Sequence, residues 1–132
     1  MLVSYWLQNT LLRGVPTPEH PIVPYVAQGG AVFWAAFALA TVVAPVVEET
    51  VFRGMLYTAL RAQMRVWPAA LVSGGIFAVV HPTLPGQFLP ILALGVVLAI
   101  LREKTGSLAP SMVCHAINNA AMLALVRLMY GS

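Results

Sequence analysis

Three long stretches of this chain carry no charged side chain, at residues 31–47, 66–101 and 105–126. A helix that crosses a bilayer needs about 20 mostly apolar residues. The first and last stretches fit one crossing each, whereas the middle stretch is too long for a single crossing. The pattern therefore predicts several membrane-spanning helices.

Helix-breaking residues interrupt the middle stretch at Pro82, Pro85, Gly86 and Pro90. Proline disrupts a helix because it lacks a backbone N–H and its ring clashes with the preceding turn. We predict helices over about residues 67–81 and 88–102, separated by a short loop, and a last helix over about residues 108–130. Small residues spaced four apart, Ala70, Gly74 and Ala78, predict a helix-packing seam.

A more polar helical stretch follows the first apolar run, up to Arg65. It either continues the first span or lies along the interface as an amphipathic helix. Residues 14–30 hold four prolines and three glycines, which predicts an exposed loop. We therefore divide the chain into residues 1–30, the end of a helix and a Pro/Gly-rich loop, and residues 31–132, one helical core.

Composition supports a membrane protein, because 60% of the residues are hydrophobic and 8% are charged, against about 25% charged in soluble domains. The net charge of +3 comes from scattered basic residues that form no basic face, so nucleic acid is not an expected partner. If the helices alternate, Arg61, Arg65, Arg102 and Lys104 share one side. The positive-inside rule makes that side cytoplasmic. The expected fold is all-α, an integral membrane bundle of about four to five helices.

Glu48 and Glu49 follow the first apolar run directly, where a charged group is costly and usually functional. Glu49 and Arg53 are four residues apart and can pair on one helix face. Glu48 points about 100° away and has no cationic partner nearby in the sequence. Such a carboxylate suits a general base or acid, although both glutamates could instead be solvated at the interface.

Two histidines add candidate chemistry. His81 ends a predicted helix, one turn after Phe77, where it could equally cap carbonyls or meet lipid head groups. His115 lies deep in the last apolar run with Asn119 one turn later, and burying both without partners would be costly. Together, a glutamate, two histidines and an asparagine supply a base for water and donors for a developing oxyanion. The set predicts a hydrolytic site inside the bilayer.

The motifs EETVFR at 48–53, FAVVH at 77–81 and HAINN at 115–119 resemble those of the CAAX protease and bacteriocin-processing (Abi) family of intramembrane peptidases. Its motifs are Glu-Glu-x-x-x-Arg, Phe-x-x-x-His and His-x-x-x-Asn. The resemblance covers about residues 31–127. It implies a glutamic endopeptidase that uses no metal or other cofactor, in a bundle with more helices than this chain shows. A fragment of a larger bundle is therefore expected.

The resemblance also implies a role for each motif residue. Glu48 would activate the attacking water with the help of His81, and His115 and Asn119 would stabilise the tetrahedral oxyanion. The remaining pair, Glu49 and Arg53, would support the shape of the first motif.

The expected partners are the lipid bilayer and a peptide or protein substrate, either prenylated or a bacteriocin-like leader. The expected location is a prokaryotic cell membrane.

Three other functions stay open from the residues. One is a metal-dependent intramembrane protease with Glu48, His81 and His115 as ligands, since zinc accepts these groups, although the sequence has no HExxH motif. Another is a non-catalytic membrane protein, such as an immunity factor or scaffold. The third is a transporter or channel in which the intramembrane glutamate and histidines relay protons.

Overall fold

The computed structural model of the chain describes residues 23–81 and 87–130, which are helical and contain no strand. We number five helices in chain order: α1 Val23–Gln28, α2 Gly30–Arg61, α3 Val66–Val80, α4 Phe88–Thr105 and α5 Ala109–Tyr130. The predicted all-α fold is confirmed. The three later helices begin and end within three residues of the predicted positions, while the predicted loop between α3 and α4 lies largely outside the described residues.

The long helix α2 changes its hydrogen-bonding pattern along its length. Two segments have π-helical geometry, Leu39–Val43 and Thr50–Tyr57, and a short α-helical segment, Ala44–Glu49, lies between them. π-Helical segments are rare and often occur at functional sites. The polar stretch after the first apolar run thus continues that span, and Glu48 and Glu49 lie at the end of its central α-helical segment.

The predicted loop over residues 14–30 is wrong for residues 23–28, which form α1. Pro24 is compatible with this helix because the first turn does not need the missing N–H. Gly29 then separates α1 from α2 with a positive φ of 68°, a conformation that glycine adopts at little cost. Residues 14–22 lie outside the described residues.

Helices α3 and α4 approach each other closely through two glycines. A Cβ atom added to Gly95 would lie 2.8 Å from the Cα atom of Gly74. Ala70, Gly74 and Ala78 are all buried, so the predicted small-residue seam is confirmed. Such close backbone approach is typical of helix packing in membranes, where it maximises van der Waals contact.

The outer surface of the bundle suits hydrocarbon. Helix α2 and the segment Ala109–Met129 are long and apolar enough to cross a membrane, and α3 is apolar but shorter. Large apolar side chains project outward along these helices, including Trp34, Val47 and Val79. The apolar part of α4 ends at Leu101, just before a charged last turn. These features agree with an all-α membrane bundle.

Candidate active site

The ion pair expected from the spacing of Glu49 and Arg53 is present and fully buried. Arg53 Nη1 donates to Glu49 Oε1 at 2.8 Å, and both side chains have zero exposure. Arg53 Nη2 donates to the carbonyl oxygen of Gly95 at 3.0 Å. A buried charge is tolerated where it is paired and hydrogen-bonded. The pair therefore joins the first motif to α4 as well as bracing one turn of α2.

The ring of Phe77 lies at the centre of the polar groups. The guanidinium carbon of Arg53 is 4.4 Å from its centroid, within the range of a cation–π contact. The rings of His81, His115 and Phe52 pack around it at centroid distances of 4.4, 5.7 and 5.0 Å. Phe77 is fully buried. Its ring therefore sets the separation between the two histidines and the ion pair.

Glu48 faces both histidines. Its Oε2 atom lies 3.6 Å from His115 Nε2 and 3.9 Å from His81 Nε2. This oxygen is buried and accepts no hydrogen bond from any described residue. The two distances are too long for direct hydrogen bonds.

The remaining ring nitrogens define the tautomers of the two histidines. His81 Nδ1 lies 2.7 Å from the carbonyl oxygen of Phe77, and His115 Nδ1 lies 3.1 Å from Glu49 Oε1. A carbonyl or an ionised carboxylate only accepts hydrogen bonds, so Nδ1 carries the proton in both rings. In its neutral form each ring presents the Nε2 lone pair to Glu48, and in its protonated form it presents an N–H there. Glu48 Oε2 and the two Nε2 atoms thus converge on one position.

Asn119 is anchored differently from the other predicted site residues. Its Nδ2 donates to the carbonyl oxygen of Ala40 at 2.9 Å, and Asn118 Nδ2 lies 3.4 Å from its Oδ1. Ala40 belongs to the first π-helical segment of α2. The contact joins α5 to α2 beside the site, and it uses one of the two N–H groups of the Asn119 amide.

A second polar cluster, which the sequence interpretation missed, lies at the ends of α2 and α4. Glu103 accepts hydrogen bonds from Tyr57 Oη at 2.9 Å and from Arg61 Nε at 3.0 Å. The hydrogen bond from Arg61, followed by that from Tyr57, holds the pKa of Glu103 below its ordinary value. Arg53, Tyr57 and Arg61 are spaced four apart, a signal that one face of α2 carries polar groups towards a partner helix.

The polar groups of the site include residue types that bind metal ions. Within residues 23–81 and 87–130, no cluster of three or more His, Cys, Asp or Glu side chains is arranged to hold a metal ion. Glu48, His81 and His115 lie close together but do not form such a cluster.

The chain matches a model of a known protein family. The family model described as Type II CAAX prenyl endopeptidase Rce1-like matches residues 30–121. That range contains all three motifs, from Glu48 to Asn119. No curated protein sequence and no solved structure matches the chain.

Proposed function

The chain belongs to the Rce1-like family of type II CAAX prenyl endopeptidases, and on this premise we propose that it hydrolyses a peptide bond within the membrane by means of a water activated at Glu48 and His81. Family membership and the apolar helices make it a membrane protein of a protease family that acts on peptide or protein substrates. The identity of the site residues and their roles is the part that we propose.

The observation that carries the proposal is the convergence of Glu48 Oε2 with the Nε2 atoms of His81 and His115, at 3.9 and 3.6 Å. A water held there donates hydrogen bonds to Glu48 and to one imidazole. Glu48 removes a proton as the water oxygen attacks the carbonyl carbon of the substrate. When the C–N bond breaks, that proton passes to the departing amine nitrogen, and the water oxygen remains in the new carboxyl group. This group then ionises, and its proton, the second one of the water, passes to the free amine.

His115 and Asn119 are the proposed stabilisers of the oxyanion. His115 donates from Nε2 when that nitrogen carries a second proton, which it takes up from solvent before the attack and keeps through the reaction. Glu49, which accepts the Nδ1 proton at 3.1 Å, stabilises the resulting imidazolium electrostatically. Asn119 retains one N–H beyond its bond to Ala40. Donors prearranged in this way lower the energy of a tetrahedral intermediate.

Glu49 and Arg53 act as positioning residues in this scheme. Glu49 Oε1 receives hydrogen bonds from both Arg53 and His115, so it fixes the ring orientation of His115 relative to Glu48. Arg53 pairs with Glu49 at 2.8 Å and holds its carboxylate in place. The arrangement supports different roles for the two glutamates: Glu48 activates the water, and Glu49 orients His115.

Replacement of Glu48 tests the proposal directly. We expect Glu48→Gln to lower kcat/KM by about 10²–10⁴-fold, the usual contribution of a general base. The measurement is cleavage of a prenylated CAAX peptide by full-length protein in membranes. Thr50→Val is the matched control, since it removes a polar group two residues away whose hydroxyl bonds to Val46 on the exposed side of α2. Full activity of Glu48→Gln would refute the mechanism.

Chelation separates this mechanism from a metal-dependent one. A carboxylate base needs no metal ion. We therefore expect cleavage by membranes that contain the wild-type protein to be unchanged after treatment with EDTA or 1,10-phenanthroline. Loss of activity that added zinc restores would instead assign Glu48, His81 and His115 as ligands. A parallel assay of a known zinc protease in the same membranes confirms that the chelators work.

The substrate is proposed to be a prenylated CAAX protein, the class named in the family description. A bacteriocin-like leader peptide is the second candidate, and cleavage of matched prenylated and leader reporters distinguishes the two. No cleavage of either reporter, by wild type as well as by Glu48→Gln, would favour a non-catalytic immunity or scaffold protein.

A further inference from the structure

A cavity of about 820 Å³ lies at the end of the bundle where the turn between α2 and α3 meets the last turn of α4. None of the proposed active-site residues lines it. Its lining comprises residues 61–68 together with Ile100, Glu103 and Lys104. The cavity is therefore a separate feature of the same bundle.

Charge is unevenly distributed around this cavity. Arg61 and Glu103 neutralise each other through hydrogen bonds of 3.0 and 3.1 Å. Arg65 and Lys104 are exposed at the rim, and neither is hydrogen-bonded or ion-paired through its side chain to any described residue. Two positive charges at the rim are left without counter-charges, so the cavity complements an anion.

The level of the cavity relative to the membrane surface indicates the source of that anion. The apolar helix α3 begins at Val66, and the apolar part of α4 ends at Leu101. The cavity thus lies where hydrocarbon gives way to polar surroundings. Trp67 lines it and is 63% exposed, and tryptophan is enriched at this level of a membrane. Val66 and Ile100 supply further apolar wall.

We propose that this cavity binds the headgroup of an anionic phospholipid from the surrounding bilayer. The phosphate lies between Arg65 and Lys104, and the glycerol and upper acyl chains lie against Trp67. A lipid fits both properties of the cavity, because it brings hydrocarbon and negative charge together at this depth. A soluble acidic segment would satisfy the cations but would leave the apolar wall uncovered.

Fluorescence quenching of Trp67 tests the proposal. In the variant Trp6→Phe/Trp34→Phe, Trp67 is the single tryptophan of the full chain. This protein is reconstituted into phosphatidylcholine bilayers that contain either brominated phosphatidylglycerol or brominated phosphatidylcholine, which quench on contact. We expect phosphatidylglycerol to be preferred at Trp67. A direct ion pair between an exposed cation and the phosphate contributes up to about fivefold to such a preference, so Arg65→Gln and Lys104→Gln should each weaken it by up to about that factor.

Arg102→Gln in the same single-tryptophan protein is the matched control. It removes one positive charge from the same end of the bundle, but Arg102 does not line the cavity, so the preference should change by less than twofold. Equal quenching by the two lipids in the parent would overturn the proposal. So would an equal effect of all three variants, since that would reflect surface potential alone. Loss of the preference on adding a soluble acidic peptide would reassign the cavity to a protein partner.

Discussion

At the scale of single residues, two adjacent glutamates have opposite environments. Glu49 has zero exposure and bonds to Arg53, whereas the side chain of Glu48 is 30% exposed and faces two imidazoles. The spacing of Glu49 and Arg53 was enough to predict their pairing. The tautomers of His81 and His115 were not predictable from the sequence, because they depend on the carbonyl of Phe77 and on a carboxylate 66 positions away in the chain.

Removal of the Arg53 side chain should destabilise the folded protein, because Glu49 would remain buried without its counter-charge. We expect Arg53→Met to lower the free energy of unfolding by about 3–5 kcal/mol, measured by denaturant unfolding in detergent micelles. The control is Glu49→Gln/Arg53→Met, which removes both charges and should recover a large part of the loss. Equal stability of Arg53→Met and the wild type would show that the ion pair is not a stabilising element.

At the scale of helices, apolar runs and prolines were sufficient to predict α3, α4 and α5. Two features of the elements were not predictable. The π-helical segments of α2 differ from an α-helix by a local change of hydrogen bonding that periodicity does not reveal. The partner of Gly74 was also unknown, because which residue meets the seam depends on how α3 and α4 cross in three dimensions.

A methyl group at Gly95 should force α3 and α4 apart. Its Cβ would lie 2.8 Å from Gly74 Cα, and overpacking of this kind costs about 1–3 kcal/mol. We expect Gly95→Ala to lower the thermal unfolding temperature and to reduce cleavage, since the Gly95 carbonyl also accepts from Arg53.

Gly75→Ala is the matched control for that change. It adds the same methyl group one residue from the seam, where no neighbouring atom lies within 4 Å of the added Cβ. The thermal unfolding temperature should therefore be unchanged or slightly higher. A similar loss in both variants would mean that lipid contact, and not the α3–α4 contact, determines the effect.

At the scale of the whole molecule, the contact between Arg61 and Glu103 places the α2–α3 turn and the end of α4 at one end of the bundle. Alternating helices with short connections predicted this arrangement. The assignment of this end to the cytoplasm is a prediction from the positive-inside rule.

Cysteine labelling checks both parts of that topology. In a Cys114→Ala background, we place single cysteines at Gln63, Ser107 and Gln87, all exposed. A membrane-impermeant maleimide added to intact cells should leave Gln63→Cys and Ser107→Cys unlabelled until the cells are opened. Gln87→Cys, at the opposite end of α4, should be labelled at once. Labelling of positions 63 and 107 from different sides would contradict the fold.

The shortness of α3 has a consequence for the lipid around it. Its 15 residues extend about 22 Å at 1.5 Å per residue, several ångströms less than the roughly 30 Å hydrocarbon thickness of a typical bilayer. A short span is accommodated by local thinning of the bilayer. His81 follows the last residue of α3 and is therefore expected to lie close to the membrane surface, where the bilayer is locally thinned. Bulk water then has a short path to Glu48.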